Sequence, residues 1–259
     1  MNPPSGWLPV LTHIPGLIAV FTTRPGGFSS GAYASRNLGF YSGDEEEIVA
    51  ENWRLTLADI GLEMKKLAMP KLVHGHAMTF AEAGEDAWVQ TGRIKRYAPG
   101  GYDAIATLDP AFALAVTMAD CQGILLADPS TGLLAAIHAG WRGTRDGIVK
   151  KTLSSLFSAG KAKPETLSMA MSPSLCPRHL ALGPDVHLGM DKRFLVAVEK
   201  GIALDMSGWN REQALECGVT ADHIQLPAAC NHENPDRFFS YRRDGAASGR
   251  MAAIIGWRG

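Results

Sequence analysis

Four cysteines in 259 residues, at 121, 176, 217 and 230, are too few and too widely spaced to read as a disulfide framework. A chain of this length does not need one to hold its core, so a reducing, cytoplasmic setting fits best. Charge of one sign is also lacking. Lys and Arg number 25 against 26 Asp and Glu, for a formal net charge of -1, which gives no electrostatic case for nucleic acid or an anionic membrane as partner. No run approaches the ~20 apolar residues of a membrane span. The opening Met-Asn-Pro-Pro-Ser-Gly-Trp lacks the basic and apolar regions of a secretory signal. Repeats, low-complexity tracts and interdomain linkers are absent as well, and the expectation is one domain over residues 1–259. With charge so balanced, any basic site must be local.

The apolar pattern predicts mixed α and β structure. Leu17 to Phe21 reads as a buried strand running into a Thr-Thr-Arg-Pro-Gly-Gly loop. Asp44 to Ile60 reads as a helix with Asp44 as N-cap and Ile48, Leu55 and Ile60 on its apolar face. Phe112 to Met118, Gly123 to Ala127 and Leu133 to Ile137 read as adjacent strands, the last two joined by the turn Asp128-Pro-Ser-Thr-Gly132. Thr144 to Ala159 reads as a helix capped by Thr144, with Gly160 as its stop. Leu167 to Met171 and Met251 to Trp257 read as strands, and Val186 to Val198 and Asn210 to Cys217 as helices.

The hairpin places chemistry at one end. Cys121 precedes its first strand and His138 follows its second, so a thiol and an imidazole converge. His74, in Val73-His-Gly-His76, offers another imidazole, with His76 as its alternative. His74, Cys121 and His138 make an N, S, N donor set suited to zinc, with a fourth position open for chemistry. The spacing is unlike a structural zinc finger, which pairs ligands only a few residues apart. Met78 and Met118 raise a blue-copper reading, but the tight Cys-to-His-to-Met loop of such sites is missing. A rival uses Cys121 as a thiolate nucleophile and His138 as its base, with Asp120 or Asp103 orienting the imidazole. Arg142 beside a helix start is placed to hold phosphate, with Arg24, Arg242, Arg243 and Arg250 able to join it.

These segments resemble the YfiH family, also called the polyphenol oxidase or laccase-domain family. The resemblance is carried in order by Phe21-Thr-Thr-Arg-Pro-Gly-Gly-Phe-Ser29, Asn37-Leu-Gly39, Val73-His-Gly75, Ala119-Asp-Cys121, His138-Ala-Gly-Trp-Arg-Gly143 and Phe239-Ser-Tyr-Arg-Arg-Asp-Gly245. It implies an α+β fold with mixed sheets packed against helices, related to deamidating toxins, and a zinc site at His74, Cys121 and His138. Activities attributed to the family are phosphorolysis of adenosine, inosine and methylthioadenosine, deamination of adenosine, copper-dependent phenol oxidation, and editing of a peptidoglycan precursor. The fold does not choose among them. The chain departs from the family pattern at Leu72, where Gln is usual, and over 172–183, where Ser172-Pro-Ser-Leu-Cys176 and Leu180-Ala-Leu-Gly183 replace a Gly-Pro-Ser-Ile-Gly and a Tyr-Glu-Val-Gly block. The expectation is a zinc-dependent purine nucleoside phosphorylase with adenosine deaminase activity. Cys121, His74 and His138 are its metal and catalytic residues, Asp103 or Asp120 its proton donor, and Arg24, Arg142 and Arg242 its substrate contacts. Its partners are then a purine nucleoside and phosphate, with copper entering only on loading. The alternatives are a zinc hydrolase of an aminoacyl-sugar amide, a phenol oxidase, and a non-catalytic metal-binding protein.

Overall fold

The computed structural model describes residues 6–82, 87–183, 186–187, 189–227 and 229–258, so Met1 to Ser5 lie outside it. A seven-stranded sheet runs in the order β1 (Trp7–Pro9), β2 (Leu17–Thr22), β15 (Met251–Trp257), β8 (Phe112–Met118), β3 (Lys66–Ala68), β6 (Ile94–Tyr97) and β5 (Trp88–Thr91). A six-stranded sheet runs β14 (Ile224–Gln225), β11 (Ser168–Met171), β9 (Gln122–Asp128), β10 (Leu133–Ala139), β7 (Ala104–Thr107) and β4 (Met78–Phe80). β12 (Leu195–Val198) and β13 (Gly201–Leu204) form a separate hairpin. The helices are α1 (Glu46–Ile60), α2 (Trp141–Arg145), α3 (Ile148–Ser158), α4 (Met206–Glu216) and α5 (Tyr241–Asp244). This is the expected α+β class. No helix among the described residues is long and apolar enough to cross a membrane.

Strand alternation sorts the core into layers. Phe21, Leu114, Val116 and Ile255 of the larger sheet meet Leu125, Leu134 and Ile105 of the smaller one in a buried cluster between the sheets. The opposite face of the larger sheet, with Val20, Ala115 and Ile254, packs on Val49, Trp53 and Leu57 of α1. Ile124, Leu126, Ala135 and Ile137 of the smaller sheet pack on Ile148, Leu153 and Leu156 of α3. Helix, sheet, sheet and helix therefore stack in that order.

The direction of three strands fixes where function can sit. β3, β6 and β8 are mutually parallel neighbours, so they leave the larger sheet at one edge. Each then crosses to a strand of the smaller sheet: β3 to β4, β6 to β7, and β8 to β9. His74, Asp103 and Cys121 lie on these three crossovers. β10 runs antiparallel to β9 and ends beside its start, which brings His138 to the same edge.

Several expectations are corrected. β8 is not adjacent to β9 and β10, because the chain changes sheet at Asp120, whose φ of 89° turns it sharply. Asp44 is not the N-cap of α1; Glu45 holds that position, and Asp44 accepts from Ser29 Oγ at 2.6 Å and Asn37 Nδ2 at 2.9 Å. The helix expected from Thr144 is two, broken at Gly147, whose φ of 80° interrupts the helical backbone. Val186 to Val198 is not a helix. Its described residues give a turn at Lys192–Phe194 and β12, because Val196 and Val198 alternate into a hairpin closed before Gly201. The helix expected at Asn210 begins earlier, at Met206, where Asp205 caps it by accepting from the Gly208 N–H at 2.9 Å.

Candidate metal centre and cavity

One buried carboxylate organises the donors. Asp103 is fully buried and accepts four bonds: from the N–H groups of Val73 at 3.2 Å, His74 at 2.9 Å and Gly75 at 2.7 Å, and from His138 Nδ1 at 2.8 Å. Burial acts to raise its pKa, but His138 and the backbone donors of Gly75 and Val73 win and hold it below the ordinary carboxylate value. The three N–H bonds bend the chain around the carboxylate and leave His74 at a φ of 59°, a conformation an L-residue adopts only when its surroundings enforce it. Since a carboxylate only accepts, His138 carries its proton on Nδ1, which leaves Nε2 for a metal or a thiol.

His74, Cys121 and His138 place one ligand atom each so that all lie within 4.8 Å of one another. The imidazoles of His74 and His138 stand edge to face, with centroids 4.9 Å apart and planes at 88°. Burial opposes ionisation of the Cys121 thiol, yet His138 and then His74 bring it down to about 6. Burial likewise opposes charge on His138, and the Cys121 thiolate together with Asp103 raises it to about 9. The soft N, S, N set, the Asp103 bond behind one imidazole and the open fourth direction fit a zinc ion.

Glycine is required around these groups. A Cβ on Gly140 would lie 3.0 Å from Cys121 Sγ and 3.3 Å from His74 Cδ2. On Gly143 it would lie 2.6 Å from the Gly75 carbonyl, which explains two glycines of the His-Ala-Gly-Trp-Arg-Gly motif. Gly140 has φ -80° and ψ 170°, open to any residue, so Gly140→Ala should leave the metal-free fold nearly as stable while displacing the donors. The expected result is a loss of about tenfold in zinc affinity, measured by competition with a chelator. Unchanged affinity would show that the crowding is relieved without moving the ligands.

The donors close one end of a cavity of about 610 Å³. Arg142, Arg242 and Arg250 line it, as do the aromatic side chains of Tyr41, Trp141 and Tyr241. Leu72 and, from the divergent 172–183 segment, Leu175 and Leu180 also face it. Asp120 lines it too: Oδ2 accepts from the Arg242 N–H at 2.6 Å, and Oδ1 has no hydrogen-bond partner among the described residues. Burial raises its pKa above the ordinary carboxylate value, against the pull of Arg242 and Ser240.

Other expected residues lie elsewhere. Arg24 is not in this cavity; it bonds the carbonyls of Ala34 and Pro235, lies over the Phe239 ring at 4.9 Å, and lines a separate hollow of about 400 Å³. Asp103 does not line the cavity, because its oxygens are committed to the His74 loop and His138. Arg243 is spent on the carbonyls of Asn231, His232 and Phe238. Met78 packs beside the α3 core, whereas Met118 does line the cavity and also lies against Gly123, where an added Cβ would meet its sulfur at 2.9 Å. His76 is outside the cluster of ligand atoms that brings His74, Cys121 and His138 together. Sequence reading missed the part played by Tyr41 and Tyr241 in the cavity wall. No periodic pattern marks either one.

Comparisons with known proteins show which family the chain belongs to. A family model described as multi-copper polyphenol oxidoreductase laccase matches residues 18–258. The chain is 35% identical over 243 residues to a purine nucleoside phosphorylase of Deinococcus radiodurans, covering 91% of this chain and 87% of that protein. It is 36% identical over 242 residues to a purine nucleoside phosphorylase of Corynebacterium glutamicum, covering 91% and 92%. The crystal structure of YlmD from Geobacillus stearothermophilus has a similar fold, with a TM-score of 0.84 at 28% identity, covering 100% of this chain and 98% of that one. Matched along almost its whole length in sequence and in fold, the chain belongs to the YfiH family of laccase-like proteins.

Proposed function

We propose that this chain is a zinc-dependent purine nucleoside phosphorylase that also deaminates adenosine. The reading rests on the convergence of His74, Cys121 and His138 at one end of a cavity whose walls carry arginines and aromatic rings. It draws support from the relatives named purine nucleoside phosphorylase. Zinc held by the three donors would supply Lewis acidity and bring the pKa of water toward about 7.

The chain's own groups account for the remainder. Arg142 and Arg242 bind the phosphate dianion and orient an oxygen toward the ribose anomeric carbon. Tyr41 and Trp141 offer flat faces to the purine. In phosphorolysis the phosphate oxygen bonds to the anomeric carbon as the bond to purine nitrogen breaks. The departing base takes a proton from the Asp120 carboxyl, which regains one from solvent. In deamination water adds at C6 of adenine, and the same carboxyl protonates the amine that leaves as ammonia. Asp103 acts as a positioning residue through His138.

Chromatography of incubations with adenosine, with and without phosphate, tests this. Adenine and ribose 1-phosphate should form only with phosphate, and inosine regardless of it. Cys121→Ala should reduce both to the uncatalysed background. Absence of all three products at full zinc occupancy overturns the reading.

The Asp103 contact favours one rival. A bond of 2.8 Å to His138 beside a thiol at about 6 is also the layout of a thiol hydrolase, with Cys121 as nucleophile. His74 separates the two. His74→Ala would leave such a hydrolase working on an amide or ester and would abolish a zinc-dependent reaction.

A further inference from the structure

Outside the cavity, two short turns bring four more metal-binding side chains together. Cys176 precedes and His179 ends the turn Pro177–His179 that follows β11, and Cys230 and Glu233 lie between β14 and α5. The backbones are tied side by side: Ser174 and Cys230 form a parallel bridge, and the Asn231 N–H donates to the Ser174 carbonyl at 3.0 Å. One ligand atom from each of Cys176, His179, Cys230 and Glu233 falls within 4.8 Å of the others.

The separations are those of a tetrahedron. Zinc bonds of about 2.3 Å to sulfur and about 2.0–2.1 Å to nitrogen or oxygen put neighbouring ligand atoms about 3.4–3.8 Å apart. His179 Nδ1 lies 3.4 Å from Cys176 Sγ, 3.6 Å from Cys230 Sγ and 3.6 Å from Glu233 Oε1. Cys176 Sγ lies 3.7 Å from the same Glu233 oxygen. Hydrogen bonds account for only part of the cluster: the Cys176 thiol donates to Glu233 Oε1, which also pairs with Arg178 Nη2 at 2.9 Å, while the single Nδ1 of His179 faces two thiols and a carboxylate at once. A shared cation satisfies all four.

We propose that Cys176, His179, Cys230 and Glu233 form a second, structural zinc site, closed by four protein ligands and separate from the centre at His74, Cys121 and His138. It does not depend on the nucleoside chemistry. Its place in the fold suits it to bracing the cavity. Leu175 and Leu180, on either side of the first ligand pair, line the cavity, and Asn231 and His232 receive Arg243 next to Arg242. The metal therefore clamps the cavity wall to the segment that leads into α5, which carries Arg242. Cys176 is also one of the positions at which the chain departs from the family pattern. Glu233 is exposed, which leaves the ion a route in.

Metal analysis of the full chain, purified with reductant, saturated with zinc and desalted, tests the proposal. Two zinc ions per chain are expected in the wild type, one in Cys121→Ser, one in Cys176→Ser, and none in the double variant. Glu233→Gln changes only an exposed side chain and guards against misfolding; it should weaken the second site about tenfold or more while the first stays full. Cobalt titrated into Cys121→Ser should give the visible spectrum of a tetrahedral ion with two thiolates. One zinc per wild-type chain, an octahedral cobalt spectrum, or a Cys176–Cys230 disulfide by thiol counting overturns the proposal.

Discussion

Asp103→Asn should lower zinc affinity by about 10–100-fold and destabilise the metal-free protein by about 2–4 kcal/mol. The carboxylate meets donors on both oxygens: His74 N–H and His138 Nδ1–H on Oδ1, Val73 N–H and Gly75 N–H on Oδ2. An asparagine has one acceptor oxygen and one amide NH2, so either rotamer points two hydrogens at two donors. With Asp103 fully buried, no water replaces the lost acceptor. The loop then relaxes from the positive φ of His74, and His138 loses the bond that fixes its tautomer. Urea unfolding of the metal-free protein and zinc competition measure the two effects. Affinity within twofold of wild type would mean that the donors hold their places without this carboxylate.

A second large effect concerns pH. Zinc takes the Cys121 thiolate and neutral His138, whereas the metal-free pair is a thiolate beside an imidazolium between about 6 and about 9. In that window the thiol is already ionised, and the ion must displace one proton from His138. Each unit of rising pH should therefore tighten binding about tenfold, roughly a thousandfold in total, with the gain ending above about 9. Below about 6 the thiol is protonated too, and the dependence steepens. Chelator competition at several pH values gives the slope, and calorimetry in buffers of different ionisation enthalpy counts the proton. A flat profile from 6 to 9 contradicts the ion pair.

The convergence of Cys121 and His138 was legible in sequence because one hairpin carries both. Continuous apolar runs on each side of Asp128-Pro-Ser-Thr-Gly132 fix the pairing, and the pairing fixes that Cys121 and His138 share an end. The hub was harder to see. Asp103 precedes a plain Ala-Ile-Ala-Thr strand, and its importance comes from the register that sets it opposite His138, a long-range fact without a local pattern. The change of sheet at Asp120 was hidden for a similar reason, since a strand buried on both faces looks the same whichever neighbour it pairs with. Arg24 went astray because a Pro-Gly-Gly loop says nothing about which way it folds. The second cluster did leave a trace: Cys176-Pro-Arg-His179 and Cys230-Asn-His-Glu233 are both ligand pairs at a spacing of three. Counting cysteines alone passes over it, because each pair has only one.

His74, Asp103 and Cys121 each sit where the chain steps from the larger sheet to the smaller one. The smaller sheet gathers these groups at one end: Asp103 and Cys121 immediately precede β7 and β9, His74 lies just before β4, and His138 lies within β10. The centre is thus complete only when β4, β7, β9 and β10, drawn from separate stretches of the chain, are paired in register. Occupancy then registers that pairing, and an ion that binds only the folded arrangement stabilises it against unfolding by mass action.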